Sequence, residues 1–116
     1  MTEHEKLRLK SWHKKLVSNS RAILSKQIFM PYGSLKMEKI INTINQIKPI
    51  TELDLEIFSD YNNQTGEYPI GEDRIRYNEE FLAKLDLELE KVTMYFKEKV
   101  EEKCHEIIKK FGIEKN

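Results

Sequence analysis

Cysteine, proline and glycine are scarce in this chain, and each scarcity excludes a class of protein. The single cysteine, Cys104, has no partner for an internal disulfide, which fits a reducing compartment. Four glycines and three prolines among 116 residues suit an amphipathic helical protein. No apolar run approaches the length that spans a bilayer, and the charged amino-terminal stretch does not resemble a signal peptide. The sequence therefore predicts a cytoplasmic protein that does not contact a membrane.

The longest pattern in the sequence is the stretch from Asn78 to Phe111, which contains neither glycine nor proline. Its apolar residues recur every eleven positions, in the rows Leu85, Phe96, Ile107 and Leu89, Val100, Phe111. This repeat is typical of one nearly straight helix, which at ~1.5 Å per residue is roughly 50 Å long. The helix starts at Asn78 or already near Asp73, since either side chain could cap it.

Three shorter helical patterns precede the long one. The first runs from about Glu5 to Gln27, and its apolar residues recur at three- and four-residue steps. Residues 29–33 break it, Ser34 is the predicted N-cap of the second helix, and Thr51 is the predicted start of the third. We therefore predict an all-α fold in one domain, residues 1–116. In this four-helix bundle-like arrangement the long first and last helices are antiparallel and two shorter helices pack alongside.

The net charge of zero conceals a separation of the two signs along the sequence. Residues 1–49 hold 10 basic and 3 acidic residues, whereas residues 50–90 hold 3 basic and 12 acidic ones. Either the basic first helix packs beside an acidic helix, or its basic face stays free for an acidic partner. Trp12 falls in the apolar series of the first helix, which favours core packing over contact with nucleic acid or a membrane.

Arg21 is the polar residue that stands out on the first helix, because it lies at the edge of the apolar stripe. An arginine there extends to water or meets a carboxylate. Asp86 on the long helix is the first candidate partner, with Glu79 and Glu90 as alternatives. Arg21 therefore either pairs with the long helix or binds an anion in a cleft.

A second set of candidate residues surrounds the loop before the long helix. It comprises Tyr68, Arg74, Arg76 and Tyr77. These side chains either fasten the loop to the bundle or form a polar and aromatic patch for a phosphate or a protein partner.

The sequence predicts no catalytic, cofactor or metal site. Cys104 and His105 are adjacent, so they project in different directions from a helix and do not form a nucleophile and base pair. The remaining histidines lie far from them in sequence, without the spacing of zinc ligands. We expect neither an enzyme nor a bound cofactor.

The end of the long helix is the predicted interface. The first helix is shorter than the last, so part of the last needs other cover, and Val100, Ile107 and Phe111 keep its final turns apolar. We expect a second copy of the chain or another protein to cover this end, and a homodimer is the favoured form.

Two segments carry a resemblance to a known family. Residues 12–23, which run from Trp12 to Ile23, and the motif Tyr68-Pro69-Ile70-Gly71 followed by Arg74 resemble a family of small bacterial helical domains of unknown function. The resemblance implies a helical fold and a bacterial or phage origin, and it carries over no functional residue.

Two functions follow as hypotheses. The first is a small non-enzymatic bacterial or phage protein that binds another protein, as an immunity, antitoxin or anti-defence factor does. The alternative is an accessory protein that binds nucleic acid through the basic first helix.

Overall fold

The protein is all-helical in the computed structural model, which describes residues 1–112. Within that range it forms five helices and no strand: α1 Glu3–Leu24, α2 Met30–Ile47, α3 Glu56–Thr65, a 3₁₀ helix Gly71–Arg76, and α4 Glu79–Phe111. The all-α prediction is confirmed, and the first and last helices are the longest. None of the helices in this range is both long and apolar enough to cross a membrane.

Side-chain caps start the two long helices. Thr2 and Glu5 form a reciprocal capping box at α1, in which Glu5 N–H donates to Thr2 Oγ1 at 3.1 Å and Thr2 N–H donates to Glu5 Oε1 at 2.9 Å. Asn78 Oδ1 accepts from Phe81 N–H at 2.7 Å at the start of α4. Of the two predicted starts of α4, Asn78 is therefore correct, and Asp73 lies within the 3₁₀ helix.

The predicted start of α2 is wrong. The helix begins at Met30 because Pro31 fits the first helical turn, where its missing N–H has no helical partner anyway. Gly33 lies inside the helix, where a Cβ would be 2.6 Å from Ile23 Cγ1, so α1 and α2 approach closely here. Ser34 is no cap: its buried hydroxyl donates to the carbonyl of Phe58 at 3.3 Å.

The predicted start of α3 is also wrong, by about one turn. Helix α3 begins at Glu56, whose N–H donates to Asp54 Oδ1 at 3.0 Å. The backbone N–H of Thr51 donates to the Glu52 carboxylate at 3.1 Å, outside any helix. A local carboxylate contact competes here with helix formation.

Helix α1 packs against α2 and against the carboxyl-terminal half of α4, and α3 packs against α2 and α4. The His13 ring lies 4.7 Å from the Phe111 ring, and Ser20 lies beside Cys104, so α1 and α4 run antiparallel. The fully buried core side chains come from all four α-helices: Leu16, Met37, Ile44, Phe58, Tyr61, Val100, Cys104 and Ile107.

The amino-terminal half of α4 extends beyond α1. At the spacing set by these contacts, α1 ends near the level of residue 100 of α4, because Leu24 is one turn beyond Ser20. Residues 81–96 of α4 therefore lie beyond the end of α1. A regular four-helix bundle is not confirmed. The molecule measures 53 × 25 × 24 Å, so its length is about that of α4.

Candidate functional site

The segment between α3 and α4 folds back along the exposed half of α4. Arg74 makes a two-pronged contact with Asp86, with Nη1 and Nη2 donating to the two carboxylate oxygens at 2.7 and 2.8 Å. Hydrogen bonds from the Arg74 guanidinium lower the pKa of Asp86 below its ordinary value. Because both side chains are partly exposed, the pair positions the segment more than it stabilises the fold.

Three further contacts hold the same segment. The Tyr68 hydroxyl donates to Glu88 Oε1 at 3.3 Å, and the Tyr77 ring stacks 5.6 Å from the Phe81 ring. Gly71 has a φ of +70°, and a Cβ there would collide with the Tyr32 hydroxyl, so glycine is required for this close approach. The loop is fastened to α4 near both of its ends, and it meets α2 at Gly71.

A groove of about 640 Å³ lies between this segment and α4, and we call it the α4 groove. It is lined by Phe29, Ile70, Gly71, Arg74, Asp86, Leu89, Glu90, Thr93, Met94 and Lys97. Leu89 is buried within it, and Thr93 is held by a 2.6 Å hydrogen bond to the hydroxyl of Tyr61. Phe29 and Met94 remain exposed, with Met94 71% accessible to solvent.

The α4 groove continues the side of α4 that α1 covers. One side of the helix carries residues that are spaced three, four or seven positions apart: Asp86, Glu90, Lys97, Glu101, Cys104 and Ile108. At the carboxyl-terminal end of this side, Cys104 is buried beside α1, and Ile108 packs against the core. Nearer the amino terminus α1 has ended, and the groove occupies the place that a longer α1 would fill.

Acidic charge dominates the surroundings of the groove. The charges of Arg74 and Asp86 neutralise each other, and Lys97 Nζ lies 3.7 Å from Glu101 Oε2. Glu90 makes no ion pair within residues 1–112. The chain from residue 67 to residue 90 holds eight acidic and three basic residues, a balance of −5. A ligand with positive charge beside its apolar part is therefore favoured here.

The structure brings some of the predicted site residues together and separates others. Tyr68, Arg74 and Tyr77 all lie on the loop or its junction with α4, whereas Arg76 is exposed at the end of the 3₁₀ helix. The predicted pairing of Arg21 with Asp86 is wrong, because Arg74 engages that carboxylate. Arg21 is exposed on α1 and makes no ion pair within the described part of the chain.

The predicted interface at the end of α4 is wrong for two of its three residues. Val100 and Ile107 are fully buried within the chain, because α1 packs on this half of α4. Phe111 is partly buried and lies against His13. The uncovered apolar surface lies instead at the other end, where Leu87 and Ile75 are 61% and 84% exposed.

Sequence reasoning missed Phe29 and Met94 as groove residues, and it named Glu90 only as an alternative partner of Arg21. One signal was present: Leu87 and Met94, seven residues apart, are apolar but lie outside the eleven-residue rows. Apolar residues off the buried stripe indicate a second surface on the same helix. The contribution of Phe29 depends on the fold alone, because the break after α1 brings it to α4.

Cys104 is a core residue. It is fully buried, and burial raises the pKa of its thiol to about 12. The thiol therefore stays protonated at neutral pH and packs as a small core residue.

Comparisons of the chain with protein-family models, curated proteins and solved structures give no match. The resemblance to small bacterial helical domains stays a prediction, and the groove is interpreted from its own geometry.

Proposed function

We propose that this protein acts by binding another protein, and that the α4 groove receives an amphipathic helix with basic flanks. The observation that carries the proposal is the exposure of Met94 and Phe29 in a groove where the cover of α4 by α1 stops. Exposed apolar side chains in a concave surface are typical of helix-in-groove recognition.

A helix is the occupant that suits the shape. The groove follows the same side of α4 on which α1 packs, so another helix could continue that packing. From Asp86 to Lys97 the groove spans eleven residues, or roughly 16 Å, which matches about three turns of a partner helix. A few apolar anchors at three- and four-residue steps would contact Leu89, Met94 and Phe29.

Charge selects among such helices. Glu90 is unpaired in the described residues, and Glu72 and Asp73, which lie between the groove residues Gly71 and Arg74 in sequence, add negative charge at the Arg74 side of the groove. Lysine or arginine on the flanks of the partner helix would reduce this repulsion and speed association. A small immunity, antitoxin or anti-defence factor would act in this way by occupying a helix of its target.

A second copy of the chain is the competing occupant of the α4 groove. The homodimer expected from the sequence would have to form through this groove rather than through the end of α4. Its original basis, an uncovered end at Val100 and Ile107, is removed by their burial. A dimer through the α4 groove would place the acidic surroundings of one copy against those of the other, which disfavours it. Light scattering of the free protein separates the two cases, since a groove occupied by a second copy gives a dimer mass.

The test uses two synthetic peptides of about 14 residues with leucine at helical spacing, one with lysine flanks and one with glutamate flanks. We expect the basic peptide to bind the wild-type protein more tightly than the acidic one. Met94→Ser should weaken that binding about tenfold, because it removes one buried anchor. Fluorescence anisotropy of the labelled peptide measures both effects.

Tyr95→Ser is the matched control. Tyr95 is also 71% exposed and adjoins Met94 in sequence, but it lies outside the groove, beside Lys99. Binding should change less than about twofold in this variant. Equal losses in both variants, no binding of either peptide, or a preference for the acidic peptide would each contradict the proposal.

A further inference from the structure

A second cavity, between α1 and α2, concentrates positive charge. Its volume is about 450 Å³, and the charged residues that line it are Lys15, Lys36 and Lys39. Within residues 1–112 none of these three lysines makes an ion pair. Lysines from two helices therefore line one concave site, which favours an anionic ligand.

Asn19 also lines the cavity, and its side chain carries a buried hydrogen-bond acceptor. Its side chain is 4% exposed, and Nδ2 donates to the carbonyl of Gly33 at 2.9 Å. That hydrogen bond fixes the orientation of the amide, which leaves Oδ1 buried without a partner among the described residues. A buried acceptor of this kind costs free energy until a donor reaches it. Because Asn19 lines the cavity, a ligand with an O–H or N–H group near an anionic group would satisfy this acceptor once the side chains over Oδ1 move aside.

We propose that this cavity binds a nucleotide unit, either free or as part of a single-stranded nucleic acid. The phosphate oxygens would accept hydrogen bonds from Lys36 and Lys39, and a hydroxyl or amine of the sugar or base would donate to Asn19. The volume lies within the range of small-molecule sites.

This site is distinct from the α4 groove, and the two lie on different helix pairs. The alternative function drawn from the sequence is that the basic first helix binds nucleic acid. The cavity restricts that contact to one part of the helix. Here only one flank of α1, with Lys15, contributes, and α2 supplies the other lysines.

Trp12 reports on the cavity directly. It is the only tryptophan of the chain, it lines the cavity, and Lys15 Nζ lies 4.2 Å from its ring centroid. A phosphate that attracts Lys15 away from the ring should change the fluorescence of Trp12. Titration with nucleoside monophosphates, with a single-stranded oligonucleotide and with inorganic phosphate at fixed ionic strength measures the binding.

We expect a saturable change with the nucleotides and a weaker one with inorganic phosphate, which has no sugar or base to reach Asn19. A response to the monophosphates identifies a free nucleotide as sufficient, whereas a response to the oligonucleotide alone identifies the strand as the source. A response to inorganic phosphate as strong as that to the nucleotides would contradict the role of Asn19.

Two charge reversals test the location of the site. Lys39→Glu should weaken nucleotide binding about tenfold, and Lys14→Glu, an exposed lysine of α1 outside the cavity, should leave it within about twofold. Lys36→Glu replaces Lys39→Glu if circular dichroism shows that the latter is unfolded. Equal weakening by Lys14→Glu and Lys39→Glu indicates diffuse attraction to a basic surface and would overturn the proposal, as would an absence of any fluorescence change.

Discussion

Buried polar side chains join helices that lie far apart in the sequence. Asn62 Nδ2 donates to the carbonyl of Ser34 at 3.2 Å and to Glu38 Oε1 at 2.7 Å, which ties α3 to α2. The Tyr61 hydroxyl ties α3 to α4 through Thr93, and burial raises the pKa of Tyr61. Hydrogen bonds between buried groups favour one register over others, since a slipped helix would leave them unpaired. These contacts fix the position of Thr93 and hence one side of the α4 groove.

His13 makes stability depend on pH. Burial lowers its pKa, Glu52 opposes this shift, Lys48 adds to it, and the ring stacks near Phe111. Because the folded state disfavours the charged imidazole, the folded protein takes up a proton less readily than the unfolded chain does. The neutral ring therefore fits the fold fully above the ordinary pKa of 6.5, and stability is lost as the pH falls below it.

We predict that the free energy of unfolding decreases between about pH 7.5 and about pH 5.5. His13→Gln should remove part of this decrease, because glutamine does not titrate. Urea denaturation at both pH values measures the change. An unchanged pH dependence in the variant would show that other groups produce it.

At the scale of helices, α4 has two halves with different environments. The half from Val100 to Ile107 is buried under α1, while the half that contains Leu87 contacts α3 through Thr93 and the preceding loop through Asp86. The eleven-residue repeat predicted one long helix, and the structure confirms it. The repeat runs through both halves alike, however, so it could not indicate which half α1 covers.

The length of α4, and Asn78 as one of its two possible caps, could be predicted because capping groups and apolar periodicity act within a few residues, whereas α1 begins and ends two to three residues before its predicted bounds. The start of α2 could not, because Pro31 is compatible with a helix break and with a first helical turn, and packing of Gly33 on Ile23 decides between them. Arg74 was identified as a site residue, but its partner Asp86 was assigned to Arg21, since both arginines suit that carboxylate equally well from sequence alone. The groove itself depends on where α1 ends relative to α4, which is a property of the assembled fold.

The two halves of α4 should respond differently to the loss of a large side chain. Ile107→Ala creates a cavity in the core and should cost about 2–5 kcal/mol of the free energy of unfolding. Leu87→Ala removes a side chain that is 61% exposed and should change it by less than about 0.5 kcal/mol. Thermal or urea unfolding of both variants provides the comparison. Similar losses in both would contradict the division of α4 into a covered and an uncovered half.

At the scale of the whole molecule, the separation of charge along the sequence persists in the fold. The basic residues of α1 and α2 are not neutralised by the acidic segment: within residues 1–112 the ion pairs are Arg74 with Asp86, Lys97 with Glu101 and Lys103 with Glu106. The interpretation that a basic helix packs beside an acidic one is therefore not supported. The acidic surroundings of the α4 groove and the basic cavity between α1 and α2 would instead attract ligands of opposite charge to separate sites.

The most direct test of the proposed docking groove is the methyl spectrum of protein labelled at methionine. The chain has four methionines; Met94 is exposed in the α4 groove, and Met37 is fully buried in the core. On addition of the basic helical peptide, we predict that the Met94 methyl signal shifts with peptide concentration while that of Met37 stays in place. A peptide that binds without moving the Met94 signal would show that the α4 groove is not the docking site.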